Sequence, residues 1–180
     1  MTHAAVDIAP AQEADVPLIS SLIRELAEYE KLEHQAVATE AALRLALFGP
    51  RPAAETVIVR VEGAAAGFAL YFHTFSTFLG KHGLYLEDLF VRPAFRGRGI
   101  GKALLVHLAQ LALERGCGRF EWAVLDWNRP ARDFYEALGA KADSAWINYR
   151  IGGEALERLA AGLAGDSPQP ASPGRAAIYY

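Results

Sequence analysis

The 180-residue sequence predicts an α/β fold, a mixed sheet with helices on both faces. Three observations carry that prediction. At this length, a hydrophobic content of 52% suffices for one compact core. Short β-branched runs alternate with stretches of helical spacing in the order β-α-α-β-β-β-α-β-α-β-β. The segment from Leu84 to Arg115, LYLEDLFVRPAFRGRGIGKALLVHLAQLALER, reads as strand, glycine-rich loop and helix. With the strand after it, this is a crossover that sets two strands parallel.

The elements follow in order. Val6 to Ala9 is a short strand stopped by Pro10. Glu13 and Asp15 open a helix through Glu30, with Val16, Ile19, Leu22, Ile23, Leu26 and Tyr29 at helical spacing. Thr39 caps a second helix that runs to Phe48, where Gly49-Pro50 ends it. Thr56 to Val61 is β-branched and pairs, across a turn at Glu62-Gly63, with Gly67 to Thr74. Phe75 to Gly83 is expected to be irregular, and the strand Leu84 to Val91 follows. The helix from Gly99 ends near Gly116, and Arg119 to Leu125 is a strand. Asn128 caps a helix with Pro130 in its first turn and Gly139 at its end. Short strands are expected at Ala140 to Ala142 and Trp146 to Ile151, then a small helix from Glu154 to about Leu163. Residues 1–165 form the expected domain. Residues 166–180 form a Pro/Ser-rich tail ending in Ile178, Tyr179 and Tyr180.

Composition excludes several functions. A net charge of −3 gives no global case for nucleic acid, so phosphate binding must be local. The single cysteine, Cys117, excludes an internal disulfide and fits a reducing compartment; it reads as a small packed residue at a helix–strand junction. MTHAAVDIAP has neither a basic n-region nor an apolar h-region, and no apolar run reaches membrane-spanning length. A cytoplasmic protein with no membrane partner is expected. His73, His82 and His107 lack metal-ligand spacing, so no metal is expected. Glu114 and Arg115 read as a solvated helix end.

The loop Arg96-Gly97-Arg98-Gly99-Ile100-Gly101 carries the chemistry. Its glycines leave backbone N–H groups uncovered where a helix N-terminus adds its own unpaired donors, and two arginines add charge. Ala103 follows Gly101-Lys102, so the hydroxyl of a Walker loop is missing. The glycine spacing also departs from a dinucleotide fingerprint. Glu87 and Asp88 lie just upstream on the strand. Neighbouring strand residues face opposite ways, so at most one faces a reaction centre unless the strand bulges.

Arg96-x-x-Gly99-x-Gly101 after an acid-bearing strand resembles the pyrophosphate loop of the GNAT N-acetyltransferase superfamily. VLDWNRPARDFYEALGA, Val124 to Ala140, resembles that family's distal motif, an asparagine-capped helix carrying a tyrosine. More narrowly, the chain is similar to the diamine (spermidine/spermine) and thialysine N-acetyltransferases. That likeness rests on Leu26 to Glu30, Tyr85 to Asp88 with Phe90 and Val91, the loop, Trp127-Asn128 and Phe134-Tyr135, and it spans Val6 to Leu159.

The resemblance implies acetyl-CoA as co-substrate, direct transfer to a small primary amine, and a homodimer. It makes Glu87 the group that collects the ammonium proton and Tyr135 the acid that protonates the departing thiolate. It implies a bulge at the acids, with the backbone of Leu89, Phe90 and Val91 beside pantetheine. Arg96, Gly97, Arg98, Gly99, Ile100, Gly101 and Lys102 would hold the pyrophosphate, and Asn128 would cap its helix and touch pantetheine. Tyr29, Glu30, Glu87 and Asp88 would receive the amine. Two departures matter. Ser76-Thr77 stands where the polyamine enzymes have an acid, and Lys141-Ala142-Asp143-Ser144-Ala145 replaces their glutamates before Trp146. Fewer carboxylates favour a single-amine or amino-acid-like substrate, such as thialysine, over a long polycation. A protein amine or an aminoglycoside as acceptor, and a non-catalytic acyl-CoA-binding module, stay open as alternatives.

Overall fold

A computed structural model describes residues 5–143 and 145–163. The expected tail, 166–180 with Ile178, Tyr179 and Tyr180, lies outside the described residues, as does Ser144. The chain divides into two compact units, Met1–Ala123 and Val124–Tyr180, and each is described by itself.

The first unit is built on five strands in sequential order: β1 (Val6–Pro10), β2 (Glu55–Val61), β3 (Ala64–Ser76), β4 (Lys81–Val91) and β5 (Arg119–Trp122). The first four pair antiparallel, and β5 joins β4 in parallel. The helices are α1 (Val16–Glu30), α2 (Glu40–Phe48) and α3 (Ile100–Glu114). Alternation along the strands separates two faces. Ile58, Phe68, Leu70 and Phe90 meet Ile19, Leu22 and Leu26 of α1, with Leu47 of α2 alongside. Val57, Val59, Ala69 and Tyr71 point the other way and are buried as well. α3 packs against β4 and β1 and buries Leu104 and Leu108, and Arg115 at its end lies 5.9 Å from the Tyr71 ring centroid. Helices therefore cover both faces of a mixed sheet, which accounts for the near-continuous burial along β2.

Local signals set most boundaries. The Thr39 hydroxyl accepts from the Ala42 N–H at 3.2 Å and opens α2. Glu62 and Gly63 both take positive φ, 51° and 81°, the backbone of a two-residue turn matched to strand twist. The expected irregular stretch from Phe75 to Gly83 is corrected: β3 continues to Ser76 and β4 starts at Lys81. Ser76 Oγ accepts from the Leu79 N–H at 3.2 Å and closes the turn between them.

Glu114 and Arg115 are exposed at the end of α3, as expected, but Arg115 also makes an ion pair that the sequence does not reveal. Its guanidinium engages both oxygens of Glu55 on β2, the NH2 contact at 2.8 Å. The Tyr71 hydroxyl donates to the same carboxylate at 3.4 Å. Burial, with the Glu55 charge next in weight, pushes the Tyr71 phenol up to about 12.

In the second unit, α4 (Arg129–Ala137) and α5 (Gly153–Ala160) form as the sequence indicates. The strands expected at Ala140 to Ala142 and Trp146 to Ile151 are not formed among the described residues. Trp-Ile-Asn-Tyr has β-propensity, but propensity does not make a strand without a ladder partner, and none in this unit pairs with it.

Candidate active site

The site in the first unit originates in one irregularity of β4. Opposite β3, Tyr71 pairs with Leu86 and Leu70 pairs with Asp88, so the register steps over Glu87 as the extra residue of a bulge. This bulge inverts the alternation. Leu86 shares the face of Tyr71, whereas Asp88, two residues on, shares the α1 face with Leu70 and Phe90. The parallel ladder to β5 covers only Gly83 to Leu86, paired with Arg119 to Trp122. From Glu87 to Val91 the strand runs past the end of β5. The backbone of Leu89, Phe90 and Val91 thus lies on a segment that, among the described residues, pairs with β3 and not with β5.

Several side chains converge here. α1 ends at Glu30 because Lys31 takes the left-handed conformation, φ 62°, with its N–H bonded back to the last turn. That stop leaves Tyr29 and Glu30 at the end of the helix beside β4. Burial raises the Glu30 carboxyl above the usual carboxylate range. Burial first, then the charges of Glu87 and Glu30, push Asp88 up to about 7. Asp88 thus feels the charges of both Glu87 and Glu30, a setting that favours an incoming ammonium.

A sign follows for stability. An Asp in an unfolded chain titrates near ~3.9. Between that value and about 7 the folded protein keeps a proton on Asp88 that the unfolded chain has lost. Stability therefore falls as pH rises from about 4 to about 7. Asp88→Asn removes this loss, so the melting temperature of the variant relative to the parent should rise by several degrees, on the order of 2–4 °C per kcal/mol, between pH 4 and pH 8. A flat difference in thermal melts across that range would contradict the burial of a charged Asp88.

The loop after β4 is held at its base by a contact that sequence reading does not reveal. Arg92 donates to both oxygens of Glu25 on α1, at 2.9 and 2.6 Å, and to the Ala65 carbonyl at 3.0 Å. Pro93–Phe95 then forms a single 3-10 turn. Gly97 and Gly99 both lie in the left-handed region, φ 74° and 77°, and a Cβ on either would meet no protein atom within 4 Å. Glycine is needed there for the backbone itself, and the side left open is the one a ligand can approach. Gly99 caps α3 without a side-chain acceptor, and the first helical bond runs from the Ala103 N–H to the Gly99 carbonyl at 2.9 Å. The N–H groups of Ile100, Gly101 and Lys102 precede it. Their helix has no acid in its first turn, which Lys102 occupies, and Ile100 is buried beneath. These donors fit the diphosphate of a coenzyme.

The two loop arginines differ in placement. Arg98 lies 5.6 Å from the Phe95 centroid. Arg96 turns back over the acid-bearing side: its Nε donates to the Val91 carbonyl at 2.8 Å, and its guanidinium lies 4.6 Å from the Tyr29 centroid and 5.6 Å from that of Phe90.

Asn128 and Tyr135 belong to the second unit. Asn128 is buried and its side-chain oxygen accepts from the Ala131 N–H at 3.3 Å, so the expected helix cap is formed. Tyr135 is partly buried on the last turn of α4, its ring 5.5 Å from that of Phe134. Its carbonyl accepts from Leu138 and Ala140, which fixes the end of the helix. Cys117 is partly buried between α3 and β5, with its N–H bonded to the Ala112 carbonyl at 2.8 Å. Among the described residues no group of three or more His, Cys, Asp or Glu side chains is arranged to hold a metal ion.

Known proteins share these features. The profile of the acetyltransferase (GNAT) family matches residues 21–140. Thialysine N-epsilon-acetyltransferase of Sus scrofa is 40% identical over 168 residues, covering 87% of this chain and 98% of that protein. L-ornithine N5-acetyltransferase of Arabidopsis thaliana is 32% identical, covering 83% of this chain and 85% of its own. Among solved structures, an integron cassette protein from V. cholerae superposes with a TM-score of 0.74 at 29% identity, covering 86% of this chain and 97% of that one.

Proposed function

Because the chain belongs to the acetyltransferase (GNAT) family and is an N-acetyltransferase, we propose that it acetylates the side-chain amine of a small amino acid, of the thialysine or ornithine kind, directly from acetyl-CoA. The observation that carries the acceptor half of this reading is the meeting of Glu30, Glu87 and Asp88 at the β4 bulge. One carboxylate cluster suits one ammonium.

Acetyl-CoA supplies the acetyl group as a thioester; this chain's residues bind and orient it and move protons. The N–H groups of Ile100, Gly101 and Lys102, with Gly97, Gly99 and the charges of Arg98 and Lys102, hold the diphosphate. The free-edged backbone of Leu89, Phe90 and Val91 lies along pantetheine and offers a main-chain N–H to polarise the thioester carbonyl. Asn128 fixes the start of α4 and contacts pantetheine. Glu87 takes the ammonium proton, directly or through a water, while Tyr29, Glu30 and Asp88 seat the amine. Tyr135 protonates the departing thiolate. Transfer is direct, since Cys117 sits at the helix–strand junction away from the bulged segment. A homodimer in the cytoplasm completes the reading, on the resemblance alone; no helix among the described residues is long and apolar enough to cross a membrane.

The test is an acceptor panel with acetyl-CoA, followed by thiol release: thialysine, ornithine, a linear diamine, spermidine, an aminoglycoside and a peptide. Turnover is expected to favour the first two. Preference for the aminoglycoside or the peptide would replace this reading, and tight CoA binding without any acetylation would make the chain a binding module. The donor half has its own check. Gly99→Val forces a β-branched residue to φ 77° and points a side chain at the coenzyme. The KM for acetyl-CoA should rise tenfold or more, with a smaller change in the KM for the amine.

A further inference from the structure

The face of the sheet that carries Asp88 continues past the end of α1. Register sets its members. Asp88 lies opposite Leu70, Tyr85 opposite Phe72 and Gly83 opposite Thr74. On the other side, Tyr85 and Gly83 pair with Glu121 and Arg119 of β5. The clusters buried under α1 and α2 take in Ile58, Phe68, Leu70 and Phe90 of this face. Phe72 and Tyr85 beyond them are only half-buried, their ring centroids 5.1 Å apart. An aromatic strip therefore follows the acid-bearing bulge, and β5 borders that strip with an arginine and a glutamate.

Arg119 and Glu121 form an ion pair, Nε to Oε2 at 2.7 Å, with 40% and 39% of the two side chains exposed. Both belong to one four-residue strand, so the pair ties no two elements of the fold together. Its placement nevertheless depends on neighbouring strands. A Cβ on Gly83 would come within 3.2 Å of Arg119 Nε and 2.5 Å of Thr74 Oγ1, so the arginine lies over the gap that glycine leaves. The Thr74 hydroxyl at that gap is buried and has no hydrogen-bond partner among the described residues. A guanidinium has five N–H donors, and one carboxylate engages at most two of them. Arg119 can therefore hold a second carboxylate while keeping Glu121, and Glu121 can accept from an ammonium in the same way. A cation and an anion side by side match the zwitterionic head of an α-amino acid better than a second lone amine.

The geometry points to Arg119 and Glu121 as the subsite for the amino-acid head of the acceptor, the guanidinium taking the α-carboxylate and the glutamate the α-ammonium. This inference rests on the small-amino-acid reading above and assigns the residues that enforce it. The carboxyls at the bulge receive the reacting amine, the Phe72–Tyr85 strip lies along the linker, and β5 selects the head.

The experiment compares S-(2-aminoethyl)-L-cysteine with two relatives at saturating acetyl-CoA. Bis(2-aminoethyl) sulfide lacks its carboxylate, and 3-(2-aminoethylthio)propanoate lacks its α-amine. The readout is the ratio of kcat/KM values within each enzyme, so any common loss cancels. Wild type should prefer the complete amino acid. Arg119→Gln should cut its preference over the sulfide tenfold or more, and Arg119→Lys should retain part of it. Glu121→Gln should instead cut the preference over the propanoate. A surface pair on one strand contributes little to stability, and thermal melts will confirm that the variants fold. An unchanged ratio in Arg119→Gln, or a wild type that turns over the amino acid and the sulfide equally, overturns the assignment. Failure of the underlying reading looks different: wild type would acetylate neither S-(2-aminoethyl)-L-cysteine nor ornithine while turning over another amine.

Discussion

Glu87→Gln is expected to lower kcat for amine acetylation by about 10²–10³-fold at pH 7, with the loss shrinking as pH rises. The substitution keeps the size of the side chain and its place at the bulge but removes its ability to take a proton. An alkyl amine with a pKa near ~10.4 is almost wholly ammonium at neutral pH and has no lone pair to attack a thioester. Each unit of pH raises the free-amine fraction about tenfold, so a pH–rate profile of the variant should climb towards that of the parent. A constant deficit across pH would make Glu87 a binding group. A deeper loss in Asp88→Asn than in Glu87→Gln would move the base to Asp88, whose proton affinity near 7 also suits the task.

Tyr135→Phe is expected to reduce kcat by about 10- to 100-fold while leaving the KM for acetyl-CoA within a few-fold. The effect should be smaller than at Glu87 because a thiolate is a far better leaving group than an alkoxide and departs tolerably without a proton. Removing the hydroxyl keeps the ring beside Phe134 and the backbone bonds that close α4, and a thermal melt of the variant checks that the fold is retained. Combining it with Glu87→Gln tests the division of labour. Unchanged turnover of a competent amine by the double variant would remove both residues from the chemistry, and a loss near the product of the single effects would fit separate proton transfers.

The backbone of the glycine-rich loop was legible because its requirements are local. Gly97 and Gly99 occupy backbone conformations that disfavour side chains, and Ile100 to Lys102 expose donors because a helix starts there. The Asn128 cap, the Thr39 cap and the Glu62-Gly63 turn were readable for the same reason. The bulge was not readable from the residues. Leu84-Tyr85-Leu86-Glu87-Asp88 alternates like any regular strand until Asp88, and only the family resemblance raised the expectation that it breaks. Without the register against Leu70 and Tyr71, Asp88 falls on the same face as Leu86.

Contacts between distant segments were likewise hidden. Nothing in the sequence tied Arg115 to Glu55 on β2 or Arg92 to Glu25 on α1, and both pairs form only in the fold. The expected strand at Trp146 to Ile151 failed for the converse reason, a propensity with no partner. Arg96 combines both cases. Its place in the loop was evident, but its direction, over Tyr29 sixty-seven residues earlier in the chain, was not.

The sequence by itself determined the order of elements as far as α4, the backbone of the glycine-rich loop and the kinds of residue available for acid–base work, because each depends on a few consecutive residues. Only the tertiary structure decided which carboxyls lie near one another, which of them burial pushes up and where Arg96 points. Those depend on desolvation and on charges carried by other strands and helices, and a side chain acquires such surroundings only when the chain is folded.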